Sequence, residues 1–430
     1  MKKKRNNQEE FEVPSRLQSL DFLRGFSIVV AVIFIHTSAD FLSQDWAWVN
    51  NLYFPFADFF GSLFFVFISS NAVVFSIKKK EGRIPDQVIR NRTIARGLSI
   101  MSIGAVSNIY FNIIYSVDIY SPIPFPLSLW GWNILFFIGF SQIVTYYSYK
   151  WGKNINLILG ILVIFIGVPL REFIYVYNLE LVEQSSFNLP FFLLHYIITS
   201  PIPQMPLIPC IGVTFFSTLF GEILYSNMEK GEKRNFTNLL KSLLVIAIAI
   251  LIFSMILGGR ILTPGPITSE VYAGVNSIKS INKQTLIPGF FLIGFPAFLV
   301  RGTISHTTFA VGFSLLCLVI GIYSLDFKKR HNLPVRFFNF YGKNSLSYFL
   351  FVFYFNFAFR RFLNLYIYFL YYFGFVSLLG LVMYIWRRYS KNALLTPEWM
   401  VGQVCIIVTN QTYKRLDRKK KKEIKSSSVK

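Results

Sequence analysis

The chain has little of what soluble enzymes usually build their chemistry on. Among 430 residues there are three cysteines, four histidines and 21 acidic residues. Cys210, Cys317 and Cys405 are widely spaced and lie in or beside apolar stretches. Such an odd, scattered set makes neither a disulfide framework nor a metal site. His195, His306 and His331 have no metal-ligand spacing to one another or to His36, so no metal is expected. A phosphate-binding Gly-Lys-Ser/Thr loop, a dinucleotide Gly-x-Gly-x-x-Gly fingerprint and a Gly-x-Ser-x-Gly elbow are all missing. Their absence removes the common nucleotide-hydrolysing, dinucleotide-dependent and serine-hydrolase readings. No long polar region and no fixed-period repeat interrupts the chain, and charged residues make up only 15% of it.

Apolar and aromatic residues fill the space instead. At 53% hydrophobic, 18% aromatic and a mean hydropathy of +0.49, the composition is that of a membrane protein. Runs of bilayer-crossing length are expected at about 22–42, 55–77, 94–115, 129–149, 155–177, 207–227, 240–258, 306–325, 344–361 and 364–387. Residues 285–300, with Pro288 and Pro296, and the short run 394–409 read as re-entrant or interfacial pieces. The expected division is a basic N-terminal segment (1–18), one transmembrane domain (19–413) and a basic, disordered tail (414–430). The basic start lacks a small-residue cleavage site, so the first helix is expected to stay in the protein.

The net charge of +22 sits in short loops and tails, in the pattern of cytoplasmic loops under the positive-inside rule. It points to anionic lipid beside a bilayer rather than to nucleic acid. Loops around 78–96, 150–153, 230–241, 328–343 and 387–391 are basic, whereas 116–128 has no Lys or Arg and 178–206 carries only acidic charges. This alternation puts both termini in the cytoplasm of a multi-pass protein of the cell membrane.

Ionisable residues inside a membrane are functional candidates by default. His36 can accept a proton near neutral pH, and Asp40, one helical turn later, can orient and stabilise the imidazole. The same pair also suits a wet, structural position at the outer interface. Asp58 enters the second span from that same side, either lining a cavity or capping its helix. Ser69, Ser70 and Asn71 break the second span's apolar run, as helix-packing contacts or as cavity lining. Arg24, Arg92, Arg96, Lys343 and Asn344 lie toward the basic side. Together they could meet a phosphorylated cytosolic ligand, and singly each suits a topology anchor.

The order of these segments resembles a known group. Arg16-Leu17-Gln18-Ser19-Leu20-Asp21-Phe22-Leu23-Arg24-Gly25, followed by an apolar helix and His36, resembles the opening of the transmembrane acyltransferase superfamily. That group includes the heparan-alpha-glucosaminide N-acetyltransferase-like proteins and the acyltransferase-3 O-acetyltransferases. His36-Thr37-Ser38-Ala39-Asp40 is similar to the former's histidine and aspartate. Ala57-Asp58 with Phe64 to Ser69, and Pro206 to Gly212, resemble later segments, as do Tyr341 to Tyr348 and Pro397-Glu398-Trp399. The resemblance implies an all-α, polytopic membrane protein of about ten or eleven helices around an intramembrane cavity. It also implies transfer of an acetyl or other acyl group from cytosolic acyl-coenzyme A to a hydroxyl or amine of an extracytoplasmic sugar or glycan. His36, Asp40 and Asp58 would be catalytic, Arg24, Arg92, Arg96, Lys343 and Asn344 would hold the coenzyme, and Ser69 and Asn71 would line the cavity. Oligomeric state is left open, a homo-oligomer included. A transporter or flippase of a lipid-linked sugar, or an inactive relative, are the alternatives.

Two departures from the family pattern stand out. In relatives the arginine and histidine stand about eleven positions apart, nearly on one face at ~100° per residue. Here Arg24 and His36 are twelve apart, which a regular helix would splay by ~120°. A single-turn π-bulge would absorb the extra residue, and such bulges favour functional sites. The other departure is Ser70-Asn71, where relatives carry glycine after the serine.

Overall fold

A computed structural model of the chain describes residues 16–33, 59–116, 126, 129–183, 188–199, 206–262, 295–300, 302–330, 332–355, 365–390 and 393–427. It is an all-α, polytopic membrane protein. Helix α1 (Gln18–Ser27) continues as a π-helix (Ile28–Ile33). Then come α2 (Ser62–Lys80), α3 (Asp86–Ser116), α4 (Ile134–Trp151), α5 (Lys153–Glu183) and α6 (Leu189–Thr199). Helices α7 (Gly212–Glu229) and α8 (Lys233–Leu257) follow a single turn at Leu207–Cys210. After them a two-residue antiparallel bridge joins Ile261–Leu262 to Phe295–Pro296. Helix α9 (Ile304–Gly321) ends in a second π-helix (Ile322–Phe327). Helices α10 (Leu333–Lys343), α11 (Ser345–Phe355), α12 (Leu365–Tyr389) and α13 (Pro397–Ser427) close the chain.

Six stretches among the described residues are long and apolar enough to cross a bilayer: Ser62–Lys80, Lys153–Ile174, Leu207–Glu229, Lys233–Leu257, Ile304–Phe327 and Ile367–Tyr389. In lipid every backbone polar group must be satisfied within the segment, which is why these apolar runs are helices. Burial divides them. The α2, α7 and α9 stretches are 61–72% buried, against 22–28% for α5, α8 and α12.

Lys and Arg gather at one end of the bundle. There the end of α2, the start of α3 and the end of α4 are tied together. Lys150 pairs with Asp86 at 2.7 Å and Glu81 at 3.8 Å, while Tyr146 and Tyr149 donate to the same two carboxylates. Lys150 and its hydrogen bond hold the Asp86 carboxyl below its ordinary 3.8. At the opposite end Asn133 caps α4 by accepting from Phe136 N (2.8 Å) and donates to Asn108 Oδ1 and Gly104 O.

Two expectations are corrected. Residues 397–427 form one helix, where a re-entrant or interfacial piece followed by a disordered tail was expected. Its first half packs on α3, with Thr412 bonded to Asn91 at 3.1 Å, and the Lys/Arg/Glu-rich remainder is strong helix-forming sequence that extends it. The Pro-rich loop 178–206 contains α6, whose apolar residues pack back on α5, as Phe191 does on Tyr177 at 4.4 Å. Of the second span, expected at 55–77, residues 55–58 lie outside the described residues, and Ser62–Lys80 forms helix α2. Of the expected re-entrant piece 285–300, the described residues 295–300 form the bridge strand and a 3-10 turn.

Candidate functional site: a cation-lined cavity

Helix α1 is held in place by groups from distant parts of the chain. Asp326, in the second π-helix, accepts from the backbone N–H groups of Gln18 (2.7 Å) and Ser19 (3.2 Å). These are among the first amides of the helix, which have no partner within it. A glycine pair then brings α1 onto α10. A Cβ on Gly25 would stand 1.8 Å from Phe338 O, and one on Gly342 would stand 1.8 Å from Asp21 O. Only hydrogen fits at either position, so the two backbones touch. The neighbours of these glycines in the chain, Arg24 and Lys343, both reach the same cavity.

That cavity has a volume of about 300 Å³. On α2 its lining residues are Phe65, Ser69, Val73, Ser76 and Lys80, steps of three and four that form one helical face. From Phe65 to Lys80 this face runs roughly 22 Å at 1.5 Å per residue, much of a bilayer's hydrocarbon thickness. Its walls change character along that length. Near the basic end stand Lys80, Arg92 and Thr93. Further along the same helices come Ser69, Phe65 and Ile100, and α4 contributes Gln142, then Ile138 and Leu135.

The charges are strongly unbalanced. Among the described residues, Arg16, Arg24, Lys80, Arg92, Arg96 and Lys343 line the cavity against one acid, Glu398. The cations stand in tiers. Arg96 lies one turn beyond Arg92 on α3, and Arg24, on α1, lies eight residues beyond Arg16, which precedes that helix. Asp21 takes two bonds from Arg16, at 2.5 and 2.9 Å, and sits 3.9 Å from Arg24. The Arg24 side chain is only 14% exposed, and its Nε is buried without a protein partner among the described residues. Lys80 donates to Ser76 Oγ at 2.8 Å. Glu398 is committed elsewhere: it accepts from Ser347 N at 2.8 Å and from the Ser347 hydroxyl, capping α11. The arrangement suits a ligand with several anionic groups and a less polar extension, since guanidinium forks pair strongly with phosphate oxygens.

The residues singled out in the sequence fall into three groups. Arg24, Ser69, Arg92, Arg96 and Lys343 line this cavity together. Asn344 and Asn71 do not line it. Asn344 forms the corner between α10 and α11, donating to Phe340 O at 2.9 Å. Asn71 is buried between α2 and α7, donating to Ser217 Oγ at 2.7 Å and Phe67 O at 3.1 Å. A Cβ on Gly221 would meet its Oδ1 at 2.8 Å, so the asparagine is accommodated by a glycine across the interface. His36, Asp40 and Asp58 lie outside the described residues. The π-helix Ile28–Ile33 does fall between Arg24 and His36, in the stretch where a wider turn was expected.

Sequence reasoning missed Arg16, Lys80, Gln142, Glu398 and Asp326 as contributors. Arg16 and Glu398 belong to segments that carry the resemblance. Gln142, a lone amide within an apolar run, was itself a signal.

A model of the heparan-alpha-glucosaminide N-acetyltransferase catalytic domain matches residues 16–262. The chain belongs to this family. The match covers more than half of the chain, including Arg16, Arg24, Lys80, Arg92, Arg96 and Gln142. Lys343 and Glu398 come from beyond it, so the matched segment forms only part of the cavity wall. Membership makes the chain a transmembrane acetyltransferase in coarse class. No curated protein matches the chain.

Proposed function

We propose that the protein moves an acetyl or similar acyl group from acyl-coenzyme A to a hydroxyl or amine of a sugar or glycan. The donor enters from the cytosolic face and the acceptor from the other side of the cell membrane. One observation carries this reading: a cavity with six cations in tiers, running about 22 Å into the bundle along α2. Coenzyme A has phosphates at two separate places and a long, slender arm ending in the thioester, and the tiers match that distribution of charge. Arg92, Arg96, Lys80 and Lys343 pair with its phosphates, and Arg24 adds positive charge further in. The basic helix ends, on the positive-inside rule, give this face to the cytosol.

His36 acts as general base. It takes the proton of the acceptor hydroxyl or amine as that atom attacks the thioester carbonyl. The carbon–sulfur bond then breaks, and the departing thiolate takes a proton from the imidazolium. Asp40 holds the imidazole and stabilises its cation, and Asp58 lines the acceptor side. The π-helix at Ile28–Ile33 supports this assignment, because a wider turn absorbs one residue and offsets the twelve-residue spacing.

The test is acceptor-dependent consumption of acetyl-coenzyme A by the purified protein in lipid nanodiscs. Consumption that ends in His36→Ala is the expected result. Undiminished turnover in that variant removes His36 from the mechanism. Movement of a lipid-linked sugar across vesicles without thioester consumption overturns the reaction itself.

A further inference from the structure

On the α4 wall the cavity has one polar side chain among the described residues, and phosphate binding does not use it. Gln142, on α4, is 3% exposed, and its Oε1 is buried with no protein partner among the described residues. It lies eight residues before Lys150, about 12 Å from the basic end of its helix. The next lining residues on that helix are Ile138 and Leu135. Gln142 is therefore the last polar side chain on this wall before the apolar part begins. The close crossing of α3 and α4 sets its depth. A Cβ on Gly97 would stand 2.6 Å from Gly139 O, and one on Gly139 would stand 2.5 Å from Gly97 O. This holds Arg96 and Gln142, each within three residues of that contact, at a similar level in the same cavity.

An unpaired amide oxygen in such a place costs about 1–3 kcal/mol, and buried polar groups are nearly always satisfied. A ligand that passes from the cations into the apolar part, carrying an amide just beyond its phosphates, would satisfy the side-chain amide. We infer that Gln142 hydrogen-bonds an amide of the donor's pantetheine arm, and so recognises the arm rather than the phosphates. This rests on the reading of the cavity as an acyl-coenzyme A site, and deepens it. The cations set affinity for the nucleotide end, and Gln142 sets the register of the arm, and with it the depth at which the thioester stops.

Two probes separate the ends of the ligand: coenzyme A, and adenosine 3′,5′-bisphosphate, which has the phosphates of one end and no arm. Binding of each is measured by calorimetry to the full-length protein in nanodiscs, for wild type, Gln142→Leu and Gln142→Asn. The expected result is about a tenfold loss of coenzyme A affinity in Gln142→Leu, the worth of one buried hydrogen bond. Affinity for adenosine 3′,5′-bisphosphate should stay unchanged. Gln142→Asn, which keeps the amide but shortens it, should recover part of the loss. Equal weakening of both probes would make Gln142 a support for the cations and overturn the inference, as would no weakening of either. Failure of wild type to bind either probe would instead overturn the acyl-coenzyme A reading, a distinguishable outcome. Should Gln142→Leu fail to fold, Gln142→Met, apolar and of similar length, serves as the second variant. The same selective loss of coenzyme A affinity is expected, and an identical loss for both probes would sink the proposal.

Discussion

Helices α2 and α12 are both long enough to cross a bilayer, yet the protein uses them in opposite ways. The α2 stretch has a mean hydropathy of 1.3 and is 67% buried, whereas the α12 stretch has 1.8 and is 22% buried. Helix α8 goes further, with 2.7 and 22% buried. Among these three the inner helix is the least apolar. Lipid tails are as apolar as leucine, so a helix facing lipid needs nothing else, while a helix inside the bundle needs close packing and hydrogen bonds to its neighbours. Helix α2 shows both: Ser217 Oγ donates to Phe67 O at 2.6 Å and accepts from Asn71 at 2.7 Å, and the opposite side of α2 lines the cavity. The less apolar helix is the one that carries the site.

The contrast can be broken most sharply at glycines. Gly342→Val should destabilise the protein by about 3 kcal/mol or more, because overpacking at a backbone contact has no room to relax. Gly374→Val, on α12 where a Cβ meets nothing within 4 Å, should stay within about 0.5 kcal/mol. Thermal unfolding in one detergent compares them, and similar losses would mean that α12 is packed more tightly than its exposure indicates. Next in size, Arg96→Ala should raise the KM for acetyl-coenzyme A about 10- to 100-fold, the worth of a charge-assisted hydrogen bond. Arg388→Ala, at the basic end of an outer helix, should leave it unchanged. An equal effect of the two would assign the charge to topology rather than to the donor.

A smaller effect is expected at the inner polar contact. Asn71→Leu should cost about 0.6–1.7 kcal/mol, the range for interhelical hydrogen bonds in membranes, without altering donor KM. A rise in KM with no loss of stability would move Asn71 into the cavity wall. Smallest is the pH dependence of the exposed network at the basic end. Because Lys150 lowers the Asp86 carboxyl below its ordinary 3.8, the pair's stabilisation is complete above that value. It is lost as the pH falls through the lowered folded value. Lys150→Met should therefore lower Tm slightly at neutral pH and at low salt. The difference from wild type should fade as the pH falls below the carboxyl's ordinary 3.8 and in high salt, since the Asp86 side chain is 57% exposed.

Much of this plan was legible in the residues. Arg24, Arg92, Arg96 and Lys343 drew notice because cations near membrane helices are costly, and all four line one cavity. The helix after Tyr341 was legible from Gly342-Lys343-Asn344-Ser345, and the extra residue between Arg24 and His36 pointed to a π turn in the stretch where one is found. What stayed hidden was of another kind. Asp326 caps a helix 307 residues away in the chain, and Glu398 caps α11 from 51 residues away. Neither pairing leaves a mark in local spacing. Asn71 read as either helix packing or cavity lining, because a polar residue in a span satisfies its needs toward a neighbouring helix or toward a cavity, and only the neighbour, Ser217, decides. The tail read as disordered because lysine runs repel one another, yet joined to a packed helix they continue it.

Sequence alone determined that this chain is a bundle of apolar helices with basic residues at one end, because transfer free energies and charge placement act residue by residue. It determined the family as well, through the order of short motifs. Tertiary structure alone decided which spans are inside, which cations share a cavity and that Gln142 joins them. An apolar run reads the same whether it meets lipid or protein, so those facts depend on how the helices pack against one another.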